Sequence, residues 1–311
     1  NCPTALPGCG GSARTASDSA PHADSRELAF DANGDLIQTD DGGIYKHTDP
    51  SGTTGDWVSL VGDLAVVEQH NMDYDSVSNI MISGNQDNGT TQQQTSASDE
   101  WEGIFGGDGG DVVVAEGDPV AGASTRYFSA QLFLGATRET YNGSNVLQSF
   151  AYPSLTPLVG DPAPTAQFVT PLEVNRVTPT RLLFGAGNGV YESTDRLDSV
   201  TRIATGTANF FGGGGAMAYG ATGNAEAIYV GSGDLVYRRT TGSAGTGLTP
   251  SDPDAGSAQG IRGVVIDPDD GSTAFAVDTS TVFRTTNGGS DWTKVTGNLL
   301  SLSPGALHSV S

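Results

Sequence analysis

Lysine is almost missing from this chain. Among 311 residues only Lys46 and Lys294 are lysines, and Lys and Arg together number 14 against 36 Asp and Glu, a formal charge of −22. A surface so short of cations repels phosphate backbones, which argues against a nucleic acid as partner. The acidic excess suits a salty or calcium-rich medium, where counterions screen self-repulsion; solubility alone is an equally good account of it.

Long apolar runs are missing as well, and none could span a bilayer. No window keeps an apolar stripe of helical period over three turns, so an all-β chain is expected. Cysteine is limited to Cys2 and Cys9, in a Pro/Gly-rich leader covering residues 1–21. Their spacing permits a small disulfide-closed loop, which an oxidising compartment would favour, and no second thiol pair is present to complete a metal site. A signal peptide is also lacking, so the expectation is either that it was removed or that the chain was cut from something longer.

Glycine is plentiful, with 44 residues, as expected where tight turns outnumber helices. The clearest stretch is residues 21–49. Three short strands are predicted there, Arg26 to Asp31, Asp35 to Thr39 and Gly43 to Thr48, with Asn33-Gly34 and Asp41-Gly42 between them. Both dipeptides favour the positive φ that a tight hairpin turn needs. A fourth strand is expected around Trp57 to Leu60. Four antiparallel strands in about forty residues make one blade of a β-propeller.

The unit recurs. Tyr74-Asp75 falls 44 residues after Phe30-Asp31 and belongs to a second blade, from Glu68 to Phe105. A third starts at Gly110 and carries Thr125–Ser129. Residues 142–168, rich in Pro, Ser and Thr, read as a long excursion. Further blades open at Leu172, Ala216 and Ile261, and the last closes at Trp292. Six units of roughly 40–50 residues give a propeller over 22–311. Leu307–Val310 reads as the start of one more inner strand, so the domain is expected to be incomplete at its C-terminus, as part of a seven- or eight-bladed or tandem propeller.

Residues 285–292, Thr-Thr-Asn-Gly-Gly-Ser-Asp-Trp, are similar to the Asp-box (BNR) repeat, with Asn287 in place of the acidic residue and Asp291 in place of the Thr. His47-Thr48-Asp49 through Gly55-Asp56-Trp57 is a stretched version, and Ser193-Thr194-Asp195 a degenerate one. The chain thus resembles the secreted Asp-box propellers, among them sialidases, xyloglucanase-type glycosidases, sortilin-like receptors and bacterial exoproteins. The phrases Gly-Asn-Gln-Asp-Asn-Gly-Thr (84–90) and Gly-Gly-Asp-Gly-Gly-Asp (106–111) look most like the exoproteins. The resemblance implies a fold and an extracellular location. It implies no single function, because the scaffold hosts catalysts, receptors and scaffolding proteins alike.

In a blade the innermost strand runs down from the functional face, so residues just ahead of each first strand are expected to converge on one mouth. These are His22, Asp24 and Arg26; Glu68 and His70; Asp108 and Asp111; Glu173 and Asn175; Arg262; and His308. Three of the four histidines are among them. Asp24, Glu68 and Asp108 are the candidate catalytic acids for a polysaccharide hydrolase or lyase, since glycoside hydrolysis needs two carboxylates across a sugar. The others are candidate ligand contacts, or groups that bind neighbouring blades. Arg26, Arg126 and Arg262 could grip a substrate carboxylate as in sialidases, but the matching Tyr/Glu nucleophile pair is not found.

Other motifs favour plain turns. Asp31–Asp35 begins like a calcium loop, but Leu36 and Gly42 stand where such a loop needs Gly and Glu. Gly185–Gly189 is followed by a strand, where a dinucleotide loop needs a helix. The expectation is an extracellular interaction or assembly module, with glycan, protein or a second copy as candidate partner and calcium as candidate stabilising ion. A polysaccharide-degrading enzyme is the alternative.

Overall fold

Asn33-Gly34 turns the chain back on itself as a hairpin. Gly34 has φ +86°, and the Asp31 carboxylate accepts the main-chain N–H groups of Asn33 (2.8 Å) and Asp35 (3.0 Å). Asp31 is thereby spent on a turn. The computed structural model describes residues 19, 21–52, 55–62, 67–130, 136–208, 216–302 and 305–310. Cys2–Cys9 and the Gly212–Gly215 run lie outside the described residues.

Two compact units are present, 1–68 with 86–88, and 69–85 with 89–311. In the first, β1 (Glu27–Phe30), β2 (Leu36–Asp40), β3 (Gly43–His47) and β4 (Trp57–Ser59) form one antiparallel sheet in that order. His47 packs edge-on against Trp57 across the β3–β4 pair.

The second unit carries five more sheets. β5 (Gln69–Asp75), β6 (Ile80–Asn85), β7 (Gly89–Gln93) and β8 (Trp101–Phe105) form one, and β9 (Gly109–Glu116), β10 (Ala123–Ala130), β11 (Ala136–Asn142) and β12 (Leu147–Ala151) the next. The third comprises β14 (Leu172–Val174), β15 (Leu182–Ala186), β16 (Gly189–Ser193) and β17 (Ser199–Ala204), with β13 (Thr156–Pro157) added in parallel to β17. β18 (Met217–Ala221), β19 (Asn224–Ser232), β20 (Leu235–Arg239) and β21 (Thr249–Ser251) make the fourth. The fifth is β22 (Gly263–Asp267), β23 (Asp270–Val277), β24 (Val282–Thr285) and β25 (Thr293–Lys294). A single helical turn, α1 (Leu299–Leu302), follows. In all six sheets the four antiparallel strands pair in chain order, as blades do, and β13 is the one strand added out of order.

Within the second unit the first strands of successive sheets, β5, β9, β14, β18 and β22, are neighbours in series. The apolar core is correspondingly divided among the seams between blades. Ile82, Val112 and Phe128 fill the first seam, Tyr127, Leu172, Phe184 and Tyr191 the second. Leu183, Met217, Ile228 and Val230 fill the third, and Tyr229, Ile261, Ala274 and Phe283 the fourth. Each large side chain so enclosed contributes about 1.5–3 kcal/mol.

Two expectations change. Residues 142–168 are not a featureless excursion: they supply β12, the outer strand of its blade, and β13, which covers the edge of the next. Leu307–Val310 form no strand; Leu307 donates its main-chain N–H to Thr279 O (2.9 Å), and Ser309 and Val310 pass beside Gly263 of β22.

Candidate functional site

Three acids of the second unit sit on inner strands and point across the seams. Asp73 on β5 accepts the Val114 N–H of β9 (2.7 Å). Asp111 on β9 accepts the Leu172 N–H of β14 (2.6 Å). Glu173 on β14 faces the Tyr219 N–H of β18. Three consecutive inner strands therefore each extend a carboxylate to the backbone of the next. Asn71 reinforces the first step, donating from Nδ2 to the Asp111 carboxylate and to Val112 O.

Enclosure shifts these groups. Burial pushes Asp111 up to about 7, against the opposing donors Leu172, Asn71 and Val112, with the Asp73 charge adding to the rise. Glu173 is raised well above the usual carboxylate range by burial and by the charges of Asp111 and Asp73, and Asp73 is raised by burial. Perturbed acids in one place are a common mark of function. Here Asp111 is fully buried and both its oxygens already accept hydrogen bonds.

The arginines are committed to the seams as well. Arg126, fully enclosed, donates to Asp75 (Nη2 to Oδ2, 2.6 Å), Gln92, Ser78 and Asn145, and its guanidinium lies over the Tyr141 ring. Burial of Asp75 is outweighed by Ser124, Arg126 and Ser78, so its carboxyl stays below the usual range. Across the next seam Arg196 donates to Asp118 (2.8 Å). Arg181 and Arg239 both grip Glu192 and Glu226. Arg239, Tyr219, the Gly245 N–H and Arg181 overcome the burial of Glu192 and hold it down at about 2. Arg126 is thereby removed from any substrate-gripping arginine cluster.

Two of the Asp-box-like segments fold identically. In the β24–β25 turn, Thr285 Oγ1 accepts the N–H groups of Asn287 (3.3 Å) and Gly289 (2.9 Å), and Asn287 Oδ1 accepts that of Asp291 (3.0 Å). In the β16–β17 turn, Ser193 Oγ accepts from Asp195 (3.3 Å) and Leu197 (2.9 Å), and Asp195 Oδ1 from Ser199 (2.8 Å). Gly288 and Gly289 have φ +70° and +77°; Arg196 and Leu197 adopt +66° and +69° at the same places. The non-glycine pair is held there because Arg196 clamps Asp118 and Leu197 is wholly inside the core.

The sequence-predicted residues divide as follows. Asp24 (φ 61°) is exposed ahead of β1, Glu68 is exposed and offers its carbonyl to the Gln86 N–H, and Asp108 is exposed directly before β9. His22 lies over Gly42, and Arg26 pairs with both oxygens of Asp41 (2.8 and 2.9 Å). His70 is the extra residue of a bulge in β5. Arg262 Nη1 and His308 Nδ1 come together at 3.3 Å.

Placement ahead of the strands is corrected for His70, Asp111 and Glu173, which lie within β5, β9 and β14, and for Asn175, which follows β14. Asn175 is buried and ties its loop together: its Oδ1 accepts from Val177 and Thr178, and its Nδ2 donates to Ala225 O. The inter-blade partners Asp73, Asp75, Glu192 and Arg196 were not anticipated. For Asp73 the available signal was a carboxylate inside an inner strand, between Met72 and Tyr74.

One group of three carboxylates gathers closely among the described residues: Asp24, Asp41 and Asp87 in the first unit, with an oxygen of each within 4.8 Å of the others. Both oxygens of Asp41 accept from Arg26 (2.8 and 2.9 Å), so part of the group's charge is already met within the chain.

No family model matches the chain, and no curated protein sequence does. Solved structures do match in fold. U3-55K is 11% identical, with a TM-score of 0.50 over 89% of this chain and 82% of that one. An ancestral GH74 enzyme is 12% identical, with a TM-score of 0.52 over 88% of this chain and 38% of that one. The extracellular domain of BT4673 from B. thetaiotaomicron, described as a one-component system, is 13% identical, with a TM-score of 0.50 over 92% and 35%. The chain thus spans little more than a third of the latter two. Such likeness is one of fold alone, and the fold is that of a β-propeller.

Proposed function

We propose that this chain is a non-catalytic interaction module of an extracellular protein, related to the Asp-box propellers. The observation that carries this reading is the engagement of the inner-strand acids. Asp73 and Asp111 each spend a carboxylate on the backbone of the next blade, whereas a general acid must reach the substrate oxygen. The paired turns at Ser193–Ser199 and Thr285–Asp291 support the Asp-box kinship. Acidic composition and the extracellular neighbour domain support the location.

The chain joins its partner through exposed polar and apolar surface, and the partner is a glycan or a protein. The competing reading, a polysaccharide hydrolase or lyase, has the fold likeness to a GH74 enzyme in its favour. It requires Asp24, Glu68 or Asp108 to act as acid or base. Incubation with neutral and uronate polysaccharides, followed for reducing ends and unsaturated uronates, distinguishes the two. The module reading expects no product above a boiled control; product formation abolished by Asp24→Asn, Glu68→Gln or Asp108→Asn overturns it.

A further inference from the structure

An outer strand of a propeller blade leaves one edge of its backbone unpaired, which invites another strand unless something blunts it. Most outer edges here are blunted. β4 is three residues long, β25 is two and ends on Lys294, and β21 contains Pro250. β8 carries Glu102 and Gly103, and β17 is covered by β13. β12 is different: Leu147–Ala151 is five residues long, with no charge, no proline and no glycine, and among the described residues it pairs only with β11. Its one irregularity, the bulge at Gln148, lies at its N-terminal half and leaves Ser149–Ala151 in regular register with Arg138–Thr140.

The surface around this edge is apolar. Val146, Leu147, Phe150, Tyr152, Leu158 and Val159 are all exposed, at 47–108%. The Phe150 and Tyr152 rings pack edge-on, 4.8 Å apart. Between Glu139 and Asp161 there is no charged residue. Val146, Leu147, Phe150 and Tyr152 follow one another along β12 and its two ends, and an exposed apolar run of this kind marks an interaction site.

We infer that β12 is the contact through which two copies of this chain associate, edge to edge and antiparallel. Charge selects the occupant. At −22, two copies repel each other over most of their surface, whereas residues 140–160 carry no charge of their own and the neighbouring Arg138 and Asp198 pair with each other (3.2 Å). A basic partner would be drawn to the acidic surface elsewhere and gains nothing at this neutral strip. Antiparallel pairing of one strand with its own copy is self-complementary, as a two-fold interface requires. Aromatic side chains bury on the order of 150–250 Å² each. Phe150 and Tyr152 are 48% and 66% exposed, so roughly half of that area per ring remains to be buried, and two copies with the flanking leucines and valines approach from below the roughly 1,200 Å² at which stable interfaces begin, the size of a weak, reversible dimer. This inference rests on the module reading for its biological sense, but its test is separate.

Sedimentation velocity of the wild-type chain from micromolar to sub-millimolar concentration is expected to show a monomer–dimer equilibrium that strengthens with salt. Phe150→Glu and Phe150→Lys, each placing like charges across the two-fold contact, are expected to weaken association roughly 100-fold. An equimolar mixture of the two variants is expected to recover the dimer, because opposite charges then meet. Residue 150 is exposed, and unchanged thermal unfolding verifies that both variants fold. A wild-type monomer throughout the range, or dimers unaffected by either variant, overturns the inference. Release of sugar by the chain would overturn the module reading and leave this one standing.

Discussion

Asp111 and Leu172 are 61 residues apart in the chain and 2.6 Å apart in space, where the carboxylate accepts the leucine N–H. That bond crosses from one inner strand to the next, as do those of Asp73 to Val114 and Asn71 to Val112. Asp73 and Asp111 are thus stitching between blades, whereas the candidate catalytic acids Asp24, Glu68 and Asp108 lie exposed. The chemistry of Asp73 and Asp111 should be visible in stability before it is visible in turnover.

The first prediction concerns pH. Asp111 is raised to about 7 in the folded chain, against about 3.9 unfolded. Between those values the folded chain keeps a proton that the unfolded chain has lost, so stability falls as pH rises through that window. Glu173 and Asp73, also raised, act in the same sense. Glu192 acts oppositely: it is held at about 2, so its contribution is full above the unfolded value of about 4.3 and is lost as pH falls toward 2. Melting temperature should peak near the usual carboxylate range and decline toward neutrality. Asp111→Asn should flatten the neutral limb; a wild-type curve rising from about pH 4 to about 7 would show the assignment to be wrong.

The second concerns the enclosed ion pairs. Removing Arg126 strands the Asp75 carboxylate beside Ser124 and Ser78 with no counter-charge. Breaking a buried pair from one side costs about 3–5 kcal/mol. Arg126→Met is expected to lie in that range, and Arg126→Lys to lose most of it too, because one ammonium cannot reach Asp75, Gln92 and Asn145 together. Urea denaturation of the two variants checks this. A loss within experimental error for Arg126→Lys would mean that charge alone matters.

Blades were legible in the sequence because their signals are local. Asn33-Gly34 and Asp41-Gly42 mark their turns in two residues, although in the second the positive φ falls on Gly43 (+132°) and not on the dipeptide, and β1 to β4 fall within a residue or two of the predicted strands. Seam chemistry was not legible, because Asp75–Arg126 and Glu192–Arg239 join residues 51 and 47 apart with no periodic mark. The outer strand β12 was hidden by the Pro, Ser and Thr around it. The turn at Arg196-Leu197 lacked its usual glycines, since core packing and an ion pair hold a backbone shape that composition does not advertise. The site residues placed ahead of strands followed a general rule for propellers; the bonded acids sit one pleat further in.

The matched turns give the third prediction. At Gly289, a Cβ would meet Arg238 Cδ at 2.4 Å, and the backbone is left-handed, so Gly289→Ala should destabilise by about 1–3 kcal/mol. Arg196→Gly relieves a similar backbone strain but removes the clamp on Asp118, whose Oδ1 is already without a partner. The loss of a buried charge partner exceeds the relief. Both substitutions should therefore destabilise, although one adds a Cβ and the other deletes one. Thermal unfolding of the pair is the measurement, and a stabilised Arg196→Gly would show that the clamp is worth less than the strain.

The fourth concerns the two glycine-rich phrases, which meet at the seam between β6 and β9. A Cβ on Gly84 would lie 1.9 Å from Gly110 O, and one on Gly109 would lie 2.3 Å from Gly89 O. Both neighbours are backbone, so no side chain can rotate away and the two blades would have to separate. Gly103, on β8 of the same blade, meets nothing within 4 Å and serves as the control. Gly84→Ala is expected to cost about 3 kcal/mol or more by overpacking. Gly103→Ala should be neutral or gain up to about 1 kcal/mol from a less flexible unfolded chain. Urea midpoints for the two variants decide it: equal midpoints would mean that the seam yields freely, and that the glycines in these phrases are there for some reason other than close approach of the blades.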